Sequence, residues 1–367
     1  RFESCHFTGW GQDGNPTDNN HGVLLLASGP EEEAVSDIVI ENSTIDAPLG
    51  NASDWGSGQP SGPHGITVQG GAGGHWFHHN MIRGDDEHWL VDGIGGSNKA
   101  QADGGLGPNT DVAYNTFSHC NDNGVDAGGS QANTRIYRNR FLKTYAAVST
   151  VPVVLGPVYV YRNIVHDLSD RRGMAETFAR VGGAGGDSPV GLGEQYYYHN
   201  TIYGPAGEGK TPLPVAIMGT ANWGSGGDRF IRLTAHNNIW VTDQAAVVDN
   251  YYSSESVTNQ YDYNLSPHVL PLALDANGAM TGTHAEPHGV LYMTSDSLFI
   301  GAMDGDYRLA SEAPAIDKGR LIRGFNDQFE GAAADVGALE RGSMDDFVPP
   351  LPPVPEPETP PEEEPTP

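Results

Sequence analysis

The chain has 367 residues, 49 of them Gly, and 47 Asp plus Glu against 19 Lys plus Arg give it a formal charge of −28. That balance repels nucleic acid and anionic membrane surfaces alike, and no window is long and apolar enough to span a bilayer. A modest apolar fraction with abundant Gly suits a narrow core with many turns and argues against a helical globule. Clustered carboxylates also suit Ca²⁺, although a surface built for solubility explains the total charge more simply. The chain begins at Arg1 with neither Met nor an apolar leader, so it is expected to be a mature or trimmed piece whose export signal lies outside it.

In chain order, one short unit recurs: a few apolar or aromatic residues, an Asn, then an apolar residue two places on. It reads DIVIENSTI from Asp37, HWFHHNMI from His75, DVAYNTF from Asp111 and TRIYRNRF from Thr134, then VYVYRNIV from Val158, QYYYHNTI from Gln195, LTAHNNI from Leu233 and QYDYNLS from Gln260. The repeating asparagines are Asn42, Asn80, Asn115, Asn139, Asn163, Asn200, Asn237 and Asn264, and RFESCHF puts Ser4 in the same slot, as if the chain opened inside a strand. Two intervals are 24 residues, the length of a bare coil; the longer ones read as the same coil carrying a loop. Asn tolerates left-handed backbone angles, which suits a sharp bend between strands, and stacked amides can bond to one another in a ladder. The slot three before the Asn (Val39, Phe77, Ile136, Val160, Tyr197) and the slot two after it (Ile82, Phe117, Phe141, Val165, Ile202, Ile239) are expected to fill the core. A further strand signal lies between units: HGVLLL from His21, HGITV from His64, NGVDA from Asn123, AAVST from Ala146, TFARV from Thr177 and VAIMG from Val215. Each coil then has three short strands and three turns. Cys5 and Cys120 fall about three coils apart, roughly 14 Å, so both are expected to be free thiols.

This pattern resembles the single-stranded right-handed parallel β-helix proteins of the pectate-lyase-like superfamily, over residues 1–265. APAIDKG from Ala313 and GFNDQFEGAAADVGALE from Gly324 resemble the closing PAIDxG…DIGAxE segment of many bacterial secreted β-helix proteins. Residues 266–342 are therefore expected to hold the last irregular coils and a C-terminal cap. Residues 343–367, with VPPLPPVPEPETPPEEEPTP, read as a disordered Pro/Glu tail, a spacer to a further domain or to the cell surface.

The resemblance implies an extracellular protein acting on a polysaccharide through a groove along the first strand of each coil. Aligning those strands gives an outward row of Thr67, Asp92, Asp126, Ser149 and Arg180, with Asp122 and Asn123 just before Asp126. Asp92, Asp122, Asn123 and Asp126 are the expected oxygen ligands for a Ca²⁺ ion. In a lyase, such an ion would neutralise a uronate while Lys143 or Arg180 removes a proton and Tyr145 or His119 protonates the leaving oxygen. In a glycoside hydrolase, Asp92, Asp122 and Asp126 would supply acid and base. The motifs of polygalacturonases and of pectate lyases themselves are absent from the sequence. The same residues also suit plain turn caps, and a non-catalytic surface stalk or carbohydrate-binding module is the alternative. Tyr137, Tyr161 and Tyr198 recur two before the Asn and read as a packed aromatic row before a sugar platform.

Overall fold

A computed structural model describes residues 1–11, 21–26, 35–96, 104–129, 131–182, 193–205, 213, 215–219, 232–242, 245–249, 259–267, 272–274, 280–283, 286–292 and 297–343. The Pro/Glu tail beyond Ser343 lies outside them.

Among these residues the chain winds through three long sheets in strict rotation. Sheet A runs in nine strands from Phe2–Glu3 to Gln260–Asp262, each just before a ladder position; sheet B runs in ten, from His6–Phe7 to Val290–Leu291. Sheet C holds the HG and NG strands, from His21–Leu26 onward. Every pairing in these sheets is parallel except the last in sheet C, between Leu272–Leu274 and Met280–Thr283. Each strand therefore meets its neighbour one full coil later, the connection of a right-handed parallel β-helix. Helix is confined, among the described residues, to one 3₁₀ turn at Ala302–Asp304.

The Asn ladder is continuous but shifted from the sequence reading at both ends. Asn80, Asn115, Asn139, Asn163, Asn200, Asn238 and Asn264 form it, and Glu286 closes it by accepting from Asn264. Ser43, not Asn42, precedes Asn80 in the ladder, and Asn238 replaces Asn237. The left-handed backbone belongs to the residue just before the ladder: Ser4, Asn42, His79, Tyr114, Arg138, Arg162, His199, Asn237 and Tyr263 all have φ between 49° and 61°. That residue makes the bend, and the next one turns its amide into the core. The inward rows shift accordingly, with Ile40 in place of Val39 and Trp240 in place of Ile239.

The core is filled by complementary volumes. Phe117 and Phe141 of sheet B stack at 5.0 Å. Opposite them sheet C carries Gly93 and Gly124, where a Cβ would come within 2.6 Å of Phe117 and 2.4 Å of Phe141. Two coils later the Gly124 slot becomes Phe178, after sheet B has narrowed to Val165. Gly124→Ala is expected to lower stability by about 1–3 kcal/mol through overpacking, read as a lower urea midpoint.

The expected cap segment lies along the flank of the coils. Leu298, Phe299, Tyr307, Leu309, Val336 and Leu339 form a separate apolar cluster on the outward side chains Ile164, Ile239 and Val241 of sheet B. Arg162 donates to the Ala338 carbonyl, Ala338 N–H to Thr201 Oγ1, and Gly337 N–H to the Asn237 carbonyl. Phe325 contacts Tyr159, Tyr161 and Tyr198, and Tyr137 stacks on Tyr161 at 4.8 Å, so this aromatic row packs protein against protein.

His199 sits inside the clamp, fully buried. Its Nδ1 faces the Gly337 carbonyl and its Nε2 faces the amides of Asn237 and Asn326, which fixes the neutral Nδ1–H tautomer. Burial, with Arg162 alongside, pushes its pKa down to about 3. An unfolded His takes a proton near 6.5, so between those values the unfolded chain binds more protons. This contribution is complete above about pH 6.5 and declines toward pH 3, by up to roughly 1.4 kcal/mol per unit. His21 and His236, both pushed down to about 4 by burial, act in the same direction. The urea midpoint is expected to fall between pH 7 and pH 5, and less steeply in His199→Gln.

Candidate functional site

The outward row of sheet C can now be read from hydrogen-bond register: Leu24, Thr67, Gly95, Asp126, Ser149, Arg180. Asp92 is not in it. The short strand Ile94–Gly96 is anchored by Ile94, which enters the core between Ile66 and Val125 and leaves Gly95 facing out. Asp92 falls three residues earlier, in the turn row with His21, His64 and Asn123.

The two residues nevertheless come to one place beside Gly95. A Cβ placed on Gly95 would lie 3.5 Å from Asp92 Oδ2 and 3.8 Å from the Asp126 Cβ. Gly95 is thus a position without a side chain next to both Asp92 and Asp126. Asp92 Oδ1 accepts from both the backbone and side-chain amides of Asn123, each at 3.0 Å, and its Oδ2 lies 3.5 Å from His64 Nδ1. Thr67 Oγ1 lies 2.8 Å from His21 Nδ1, and His21 stands 5.2 Å from the His64 ring. Burial, with His64 beside it, keeps His21 neutral at pH 7. His21, His64, Thr67, Asp92, Gly95 and Asp126 line a cleft of about 320 Å³ together with Gln59, Gln69, Val91 and Asp122. Its lining contains no Lys or Arg among the described residues.

Asp122 forms the wall. It accepts from Trp55 Nε1 at 3.1 Å, Gln59 Nε2 at 3.0 Å and Arg180 at 2.6 Å. Arg180 also pairs with Glu176, reaches the Asn123 side chain at 3.2 Å, and lies over the rings of Trp55 and Tyr145. Burial disfavours its charge, but Asp122 and Glu176 outweigh that and hold its pKa above the ordinary value. Burial, reinforced by Glu176, raises Tyr145.

The structure thus brings Asp92, Asp122 and Asp126 to one cleft, with Asn123 bonded to Asp92 and Arg180 with Tyr145 behind its wall. It sets Lys143 and His119 apart. Lys143 Nζ lies 2.8 Å from Asp86 and 3.0 Å from His119 Nε2, in a cluster that does not line the cleft. His21 and His64 are the residues that sequence reading took only as strand markers. Their signal was the repeated HG at the head of successive strands, which places both imidazoles on one turn row.

The four expected Ca²⁺ ligands do not converge. Asp122 is already satisfied by three donors, one of them a guanidinium, and the Asn123 amide is turned toward Asp92. Among the described residues no three His, Cys, Asp or Glu come together around one point. No described helix is long and apolar enough to cross a membrane. Cys5 and Cys120 are unpaired.

No family model matches the chain, and no curated protein matches it. Among solved structures it is similar to the crystal structure of pectate lyase Pel9A, with 11% identity and a TM-score of 0.41 over 92% of this chain and 86% of that one. That likeness carries no weight for the chemistry. On its own ladders, turns and register, the chain is a right-handed parallel β-helix.

Proposed function

We propose that this is an extracellular carbohydrate-active protein that hydrolyses a glycosidic bond in a neutral polysaccharide held over Gly95. The observation that carries the reading is the pair Asp92 and Asp126 beside Gly95, a position without a side chain, in one cleft of about 320 Å³. Asp92, which accepts two hydrogen bonds from Asn123, is the base or nucleophile, and Asp126 is the proton donor. His64 beside Asp92 offers a site for the proton as it moves. A polyuronate is the poorer fit: three carboxylates border the cleft, and Arg180 is spent on Asp122 and Glu176. The two bases expected for β-elimination stand outside the cleft, since Lys143 lies in another cluster and Arg180 is buried, paired and held charged.

The test is a panel of neutral and acidic polysaccharides followed by two readouts, new reducing ends and absorbance at about 235 nm, the band of the unsaturated product of elimination. Reducing ends without absorbance support hydrolysis. Absorbance on a uronate polymer would replace it with a lyase, and binding with neither signal would leave a carbohydrate-binding module.

A further inference from the structure

We infer that the cleft is closed at one end and takes the terminal units of a polysaccharide chain, with Trp55 and Gln59 as the residues that enforce this. The inference rests on the glycan reading above and adds to it the part of the polymer that is recognised.

A polysaccharide chain laid across the strands of sheet C would pass along Leu24, Thr67, Gly95, Asp126, Ser149 and Arg180 in turn. Leu24 is 40% exposed. Thr67, Gly95 and Asp126 line the cleft, whereas Ser149 and Arg180 do not. Exposure does not separate the four, at 7% for Thr67, 3% for Asp126, 5% for Ser149 and 8% for Arg180; the cleft lining does. The reason is the direction of the Arg180 side chain. It starts on the coil after Ser149 and reaches back to Asp122 and Asn123, two coils earlier, so it crosses the coil that carries Ser149.

Two loops hold that roof in place. Trp55 and Gln59 come from the loop before the strand His64–Gln69 and end on Asp122. Asp54 of the same loop lies 3.3 Å from Arg171 and 3.7 Å from Arg172, which belong to the loop before Thr177–Val181. Asn121 ties both, donating to the Ala52 carbonyl and accepting from Arg171 N–H. Arg172 then lies over Tyr145, whose ring stands 6.0 Å from Trp55. The wall is thus a latched arch of paired charges and stacked rings. A polymer threading through would have to displace a buried guanidinium from two carboxylates, which is strongly unfavourable. A chain end meets no such barrier.

The test uses the wild-type chain on a polymer that it degrades. Expected are one short product size from the earliest times and a viscosity that falls no faster than product mass appears. Oligosaccharides blocked at one end with a bulky label should react about 10- to 200-fold more slowly when the blocked end is the one that enters. Rapid viscosity loss with a random ladder of products would overturn the closed-end proposal alone. No turnover of any glycan would overturn the hydrolase reading beneath it. Trp55→Ala gives an independent check: with the arch weakened, longer early products are expected, and an unchanged product size in a variant of unchanged melting temperature would overturn the role given to Trp55.

Discussion

Asp126→Asn is expected to lower turnover by about 10²- to 10⁴-fold, the range associated with a positioned general acid or base, with little change in melting temperature. The substitution keeps the shape of the side chain and its acceptor toward Gly128 N–H at 3.4 Å, and it removes only the proton-transfer group. Asp92→Asn should behave similarly, because a carbonyl oxygen can still accept from the two Asn123 amides. Losing both carboxylates should cost much less than the sum of the single effects, since the pair acts on one bond. A variant at either position that keeps its turnover would rule out the hydrolytic assignment. A large fall in melting temperature with activity lost in proportion would make these residues turn caps.

Asn139→Ala is expected to cost on the order of 4 kcal/mol, because it removes four buried hydrogen bonds and leaves two of the partner groups unsatisfied at about 1–3 kcal/mol each. Asn139 Oδ1 accepts from both the backbone and side-chain amides of Asn115 at 3.0 Å, and its Nδ2 donates to the Val112 carbonyl and to Asn163 Oδ1. Truncation removes all four bonds from a buried position; Asn115 Nδ2 keeps the Phe77 carbonyl and Asn163 Oδ1 keeps the residue 139 N–H, but the Asn115 N–H and the Val112 carbonyl lose theirs. A loss of that size is a large share of the stability of an ordinary domain. Asn139→Ser should be milder, since the Ser43 hydroxyl already accepts the Cys5 N–H in the equivalent slot. Guanidinium denaturation of the variants measures both. A cost below about 1 kcal/mol for the Ala variant would mean that the ladder contributes little beyond ordinary hydrogen bonds.

The repeat in the sequence was enough to recognise the β-helix, because its signals are local. An aromatic or β-branched run, one bend and one buried amide fit into about eight residues and recur at each coil. The one-residue errors at Asn42 and Asn237 arise because two polar residues stand side by side there, and which one bends is settled by the register of the coil beneath. The same limit misplaced Asp92. VDGIGG offers an Asp near the right place, but only Ile94 seated between Ile66 and Val125 puts Gly95 in the outward row.

By itself, then, the sequence determined the solenoid, its unit length, most of the inward rows and the neighbourhood of Asp122–Asp126. Tertiary structure alone decided which side chains share the cleft. His21, His64, Asp92 and Asp126 come from four different coils, and Arg180 reaches Asp122 across 58 positions of chain. Contacts between stacked coils depend on loop lengths and on which residue enters the core at each level, and both are fixed by packing between coils, beyond the reach of any short pattern.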